Sequence, residues 1–146
     1  MKKIILGYDS SDTSGRALER AAELTKALGA ELIVASIAPI MTGIGRSAGP
    51  VDPTDTPSDH FEELHHAESY LKGEGVTAEY LGGLGHPADT IANLAKEREA
   101  DLIVVGHHHS GISRLPGQSV SDSVVHRAHC DVLLVARASR AARSGD

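Results

Sequence analysis

An α/β domain is the fold class this sequence predicts: an open sheet of five parallel strands with helices on both faces. Two observations carry the prediction. Short, continuously apolar runs recur along the 146 residues, IIL, LIVA, LIVV and VLLV among them, and parallel strands buried on both faces read that way. Between these runs lie segments whose apolar residues repeat at helical spacing, and alternating strands and helices build a parallel sheet covered on both sides.

Residues 3–8 (KIILGY) form the first strand candidate. Asp9-Ser10-Ser11-Asp12-Thr13 follows and supplies N-cap chemistry. Ala17, Leu18, Ala21, Leu24 and Leu28 then line one helical face, and Gly29 stops that helix. Residues 32–37 (LIVASI) are the second strand. Residues 38–57 hold four prolines and three glycines without periodicity and read as a loop. A second helix spans residues 58–72, with Phe61, Leu64, Ala67 and Leu71 on one face, ended by Gly73 or Gly75.

Residues 76–81 read as a third strand, more amphipathic than the others and therefore suited to a sheet edge. Gly82-Gly83-Leu84-Gly85 is expected to turn the chain. Pro87 suits a first helical turn, and Ala88, Ile91, Leu94 and Ala95 mark that helix's buried face. Residues 102–105 are strand four, 119–128 a short helix, and Val132 to Ala136 strand five. One domain is expected over residues 1–137, with a polar tail at 138–146.

Composition narrows the function classes. The formal charge is −6, which argues against a nucleic-acid-binding role, since that needs a basic face. No apolar run approaches the ~20 residues of a membrane helix, so no membrane insertion is expected. The single cysteine, Cys130, forms no internal disulfide, and no export signal opens the chain. A reducing, cytoplasmic home is the expectation.

Catalytic signals are thin. There is no G-x-x-x-x-G-K-[ST], and Gly117-Gln118-Ser119-Val120-Ser121 lacks the closing glycine of a G-x-S-x-G elbow. Gly43-Ile44-Gly45-Arg46-Ser47-Ala48 matches a dinucleotide fingerprint but opens no helix, so it reads as a chance match. His107-His108-His109 invites a metal reading. Adjacent residues of extended chain point in different directions, however, and no cysteine or carboxylate nearby completes a set. His65-His66 diverge on a helix in the same way. Cys130 reads as a structural thiol. No catalytic residue and no metal site is assigned.

The stretch from Asp101 to Ala136 carries the strongest functional signal. A buried strand ends at Gly106, a glycine- and hydroxyl-rich loop follows, and Ser119 and Ser121 open a helix. Backbone N–H groups at a strand's end and a helix's start bind phosphate. The competing reading is an ordinary loop with Ser119 as N-cap. Asp9, just after the first strand, suits a ribose or base, or simply helix capping.

In order and spacing these segments resemble the universal stress protein (UspA-like) family over nearly the whole chain. Asp9, Ser11 and Ser14 match its D-G-S-x-x-S segment, with Ser10 replacing the glycine. Ala35-Ser36-Ile37 stands where L-H-V is usual, Gly85-His86-Pro87-Ala88 with Ile91 matches G-x-P-A-x-x-I, and Ala100 to Gly106 matches A-D-L-I-V-V-G. Ser119-Val120-Ser121 with Val124, then His129 to Val135, match the close, with Asp131 where the family often has proline.

The resemblance implies a doubly wound five-stranded sheet in the order 3-2-1-4-5, in a dimer paired through the last strand, from Val132 to Ala136. An uncharged edge strand left open is an aggregation hazard, which gives that pairing a physical motive. It also implies, for some members, ATP bound by a G-x-x-G-x9-G-[ST] loop. Here Gly106 fits the first glycine, His109 stands at the second, and Gln118 at the third if Ser119 is the closing hydroxyl. The span from Gly106 to Ser119 is also one residue short of the family spacing, and Gly117 substitutes only through a register shift.

The expectation is therefore a stress-response or regulatory protein binding an adenine nucleotide, ATP with Mg²⁺, with at most slow hydrolysis. Asp9 takes the ribose and Ile37 the base edge. Gly106, Gly117, Ser119 and Ser121 take the phosphates, with Tyr8, Ser10, His108, His109, Gln118 and Val120 around them. The alternative is a nucleotide-free dimeric interaction protein with a degenerate loop. Nucleotide binding is expected to bias the 38–57 loop or the dimer surface toward a partner that the sequence does not name.

Overall fold

The computed structural model describes residues 2–9, 12–38, 57–107 and 120–136, with backbone only at 12, 38 and 57–61. The chain runs β1 (Lys3–Gly7), α1 (Asp12–Leu28), β2 (Glu31–Ala38), α2 (Pro57–Gly73), β3 (Ala78–Leu84), α3 (Pro87–Glu97), β4 (Leu102–Gly106), α4 (Val120–Arg127) and β5 (Asp131–Val135). All pairings are parallel, in the order β3-β2-β1-β4-β5. The expected fold is the fold found, with the amphipathic third strand at an edge.

Alternation along the strands sorts side chains into two cores. Ile4, Leu6 and Tyr8 pack with Ala17, Leu18 and Ala21 of α1 and with Leu64, Ala67 and Leu71 of α2. Ile5, Ile33, Ile103 and Val105 pack with Ala88, Ile91 and Ala95 of α3 and with Val124 of α4. Helices α1 and α2 therefore cover one face, and α3 and α4 the other.

Three helices end in the same left-handed turn. Gly29, Gly75 and Glu99 carry φ of 63°, 74° and 55°. In each case the next N–H reaches back to a carbonyl inside the helix: Ala30 to Thr25, Val76 to Leu71, Ala100 to Ala95. This is the Schellman arrangement. Of the two glycines expected to end the second helix, Gly75 makes the turn.

One sequence expectation fails clearly. Gly82, Gly83 and Leu84 do not turn the chain; they extend β3, paired with Ser36, Ile37 and Ala38. Their surroundings do not demand glycine: a Cβ at Gly82 would stand 3.4 Å from Leu64 Cδ1, and one at Gly83 3.5 Å from Ile37 Cδ1, both ordinary contacts. The turn falls at Gly85, with φ of 149°. Val76, expected in the strand, is buried ahead of it. The remaining boundaries shift by one residue: Tyr8 and Ala136 fall outside β1 and β5, and Ala128 outside α4, while Ser119 lies outside the described residues.

Candidate functional site at the sheet's C-terminal edge

The order β3-β2-β1-β4-β5 makes β1 and β4 neighbours whose following helices lie on opposite faces. Their C-terminal ends open a crevice at this reversal, where ligands of doubly wound sheets bind. Asp9 leaves β1 at one lip, exposed to solvent, and His107 leaves β4 at the other.

The β1 lip is built from few residues. The Tyr8 N–H donates to the Ala35 carbonyl at 2.9 Å, and its side chain, 5% exposed, belongs to the core under α1 and α2. Tyr8 thus offers this edge its backbone rather than its ring. The next N–H, that of Asp9, donates to Ser14 Oγ at 3.1 Å. Ser14 and Thr13 are both buried in the first turn of α1.

Ile37 lies two residues beyond the final register pair of β1 and β2, Gly7 with Ala35. Backbone groups alternate sides along a strand, so the Ile37 N–H and C=O point as those of Ala35 do, toward β1. Its neighbour Ser36 is buried on the α2 side and donates from Oγ to Glu63 Oε1 at 2.9 Å.

The β4 lip holds Gly106, paired with Val135. A Cβ here would stand 2.7 Å from the Thr13 carbonyl carbon and 2.8 Å from its oxygen and Oγ1. The close approach that Gly106 allows is therefore to the backbone of α1. Beyond it, His107 N–H donates to the Val135 carbonyl at 2.9 Å.

Across the loop, α4 begins at Val120, which is exposed, while Ser121 is only 2% exposed. The Ser121 hydroxyl thus faces inward. Backbone N–H groups point toward the start of any helix, α4 included. Ser10, His108, His109, Gly117, Gln118 and Ser119 lie outside the described residues, as does the 43–48 fingerprint.

Beside α4 a groove of about 400 Å³ is lined by His86, Pro87, Asp89, Val120, Ser123 and Arg127. An ion pair of 2.7 Å between Arg127 Nε and Asp89 Oδ1 joins α3 to α4 there. Among the described residues, no three histidine, cysteine or acidic side chains group as a metal site. His65 and His66 are both exposed on α2. Cys130 is half-buried, and burial, then Asp131 and Asp101, push its thiol up, away from reactivity.

A model of the universal stress protein family matches residues 1–136. The chain belongs to that family. Universal stress protein Rv1636 of Mycobacterium tuberculosis (strain H37Rv) is 36% identical over 143 residues, spanning 92% of this chain and 95% of the relative. Among solved structures, a universal stress protein in complex with cAMP is 30% identical with a TM-score of 0.72, covering 94% of this chain and 98% of the other. The universal stress protein of Archaeoglobus fulgidus in complex with dAMP is 27% identical with a TM-score of 0.62, covering 92% and 98%.

Sequence reasoning for this universal stress protein domain set Asp9 just after β1 and Gly106 at the end of β4, at the C-terminal edge of the sheet, where the structure has them. It missed the braces beneath it. Ser14 was visible only as a motif match, and no spacing rule joins Thr13 to Gly106. Arg16 Nε donates to the Ala136 carbonyl at 2.9 Å, a bond spanning 120 positions that leaves no local signal. No described helix is long and apolar enough to cross a membrane.

Proposed function

We propose that this universal stress protein is a regulatory nucleotide-binding protein that takes an adenine nucleotide, ATP in particular, at the crevice between β1 and β4, without efficient chemistry. The observation that carries the reading is Asp9, a solvent-exposed carboxylate at the reversal point of the sheet. Two relatives whose structures carry cAMP and dAMP support the choice of an adenine nucleotide.

In this reading the Asp9 carboxylate accepts hydrogen bonds from the ribose, and the Ile37 N–H and C=O meet the base edge. The phosphates lie toward the start of α4, whose dipole favours negative charge. Gly106, Gly117, Gln118 and Ser119 complete the cradle, with Tyr8, Ser10, His108 and His109 at its rim. Mg²⁺ would come with the nucleotide, held by its phosphate oxygens and water, while Asp9 serves the ribose. The ion would neutralise phosphate charge. The protein would work in the cytoplasm as a homodimer joined through Val132 to Ala136.

One observation favours the second reading, a nucleotide-free interaction protein. The packing of Gly106 against Thr13 accounts for this glycine without a ligand. Titration calorimetry of the wild-type protein with ATP, with and without Mg²⁺, decides between the two. Saturable binding, tightened by Mg²⁺, is the expected result. No saturable heat at millimolar ATP, with the protein folded, leaves the interaction protein standing. A turnover assay in the same buffers is expected to show no more than slow ATP loss.

A further inference from the structure

The first turn of α1 is tied to three strand ends at once. Ser14 Oγ accepts the Asp9 N–H just after β1, at 3.1 Å. Thr13 backs directly onto Gly106 at the end of β4, where even a methyl group would come within 2.7 Å. Arg16 Nε donates to the Ala136 carbonyl, just after β5, at 2.9 Å. Thr13 and Ser14 are each 4% exposed, which shields the first two contacts in part from competing water, while the third lies at the surface.

By alternation with Tyr8, which faces β2, the Asp9 N–H faces β4 and lies three residues beyond the final β1–β4 register pair, Leu6 with Val104, so it takes its acceptor from outside the ladder. Ser14 supplies one from the adjoining helix. The backbone at Asp9 is thereby fixed against a turn that is itself held by β4 and β5. A side chain on a backbone held this way reaches its ligand with less conformational freedom left to lose.

We infer that Ser14 is a positioning residue for nucleotide recognition: it orients Asp9 toward the ribose, and the contact of Thr13 with Gly106 keeps the turn that carries Ser14 in register with the crevice. The inference rests on the nucleotide reading above and adds to it a residue that acts without touching the ligand. It also gives Gly106 a specific task, as the spacer that lets α1 approach the end of β4.

The test compares affinities for ATP, 2′-deoxy-ATP and 3′-deoxy-ATP in the wild type, Ser14→Ala and Ser14→Cys. The cysteine variant nearly keeps the volume of serine while offering a poor acceptor, and it covers the case in which alanine fails to fold. The wild type should prefer the ribonucleotide by about tenfold, the worth of a hydrogen bond to a charged group. In the variants that preference should fall to about twofold, with affinity for the deoxynucleotides nearly unchanged.

A merely structural role would lower all three affinities in parallel, and that result overturns the inference. So does a ribose preference that survives in the folded variants. A wild type that binds all three nucleotides equally also sinks it, while leaving the nucleotide reading intact. A wild type that binds none of them removes both.

Discussion

At Gly106 the missing side chain is explained by Thr13, whose carbonyl carbon, oxygen and Oγ1 would all lie within 2.8 Å of a Cβ. Two of those atoms are backbone, so α1 itself would have to move. Gly106→Ala is expected to destabilise the fold by about 1–3 kcal/mol, the usual cost of overpacking, read as a lower urea midpoint with an unchanged slope. Glu99 presents the opposite case. It holds φ at 55°, where the two other helix ends with this turn use glycine. Glu99→Gly should stabilise by up to about 1 kcal/mol, since the left-handed strain exceeds the extra chain entropy of glycine, and a thermal melt should rise by about 2–4 °C. The sequence made Gly106 legible as the glycine that ends a buried strand. It did not reveal what approaches, because that neighbour lies 93 positions away at Thr13.

The elements themselves were largely legible, because each strand and helix announces its period locally. Leu64, Ala67 and Leu71 mark the buried face of α2, and Ile91 and Ala95 that of α3, as their spacing implies. The double glycine at 82–83 misled because glycine usually punctuates; here pairing with β2 overrides that preference. Charge ties between elements were not legible. The start of β4 is fastened to β1 by Asp101, whose Oδ2 accepts the Lys2 and Lys3 N–H groups at 2.7 and 3.0 Å. Those bonds hold its carboxyl below the usual range. Glu79 of β3 is lowered likewise, first by its hydrogen bond to Arg98 beyond α3. A carboxyl lowered on folding stabilises the protein above its unfolded pKa, and that stabilisation is lost as pH falls through the folded value. Denaturant midpoints should therefore drop on acidification below about pH 4. Asp101→Asn should flatten that acid branch and lower stability at neutral pH. An acid branch as steep as the wild type's would contradict the assignment.

For the whole molecule, the sheet has two edges. At β5 the His107 N–H to the Val135 carbonyl shows that Val135 faces β4. By alternation Asp131 and Leu133 also face β4, while Val132 and Leu134 turn their backbone groups outward. That outward row suits the proposed dimer. Val132→Pro removes one outward N–H without touching the β4 ladder, so it should yield folded monomers in sedimentation equilibrium. A variant that stays dimeric places the interface elsewhere. Two solved universal stress proteins carry cAMP and dAMP, and in the proposed function Asp9 and the backbone of Ile37 would take the same class of ligand. The most direct measurement is an amide NMR titration of the folded protein with ATP and Mg²⁺. The account predicts saturable shifts at Tyr8, Asp9, Ile37, His107 and Val120, with Lys3 and Asp101 at the opposite edge unmoved. Shifts confined to the groove around Asp89 and Arg127, or no saturable shift at all, would contradict it.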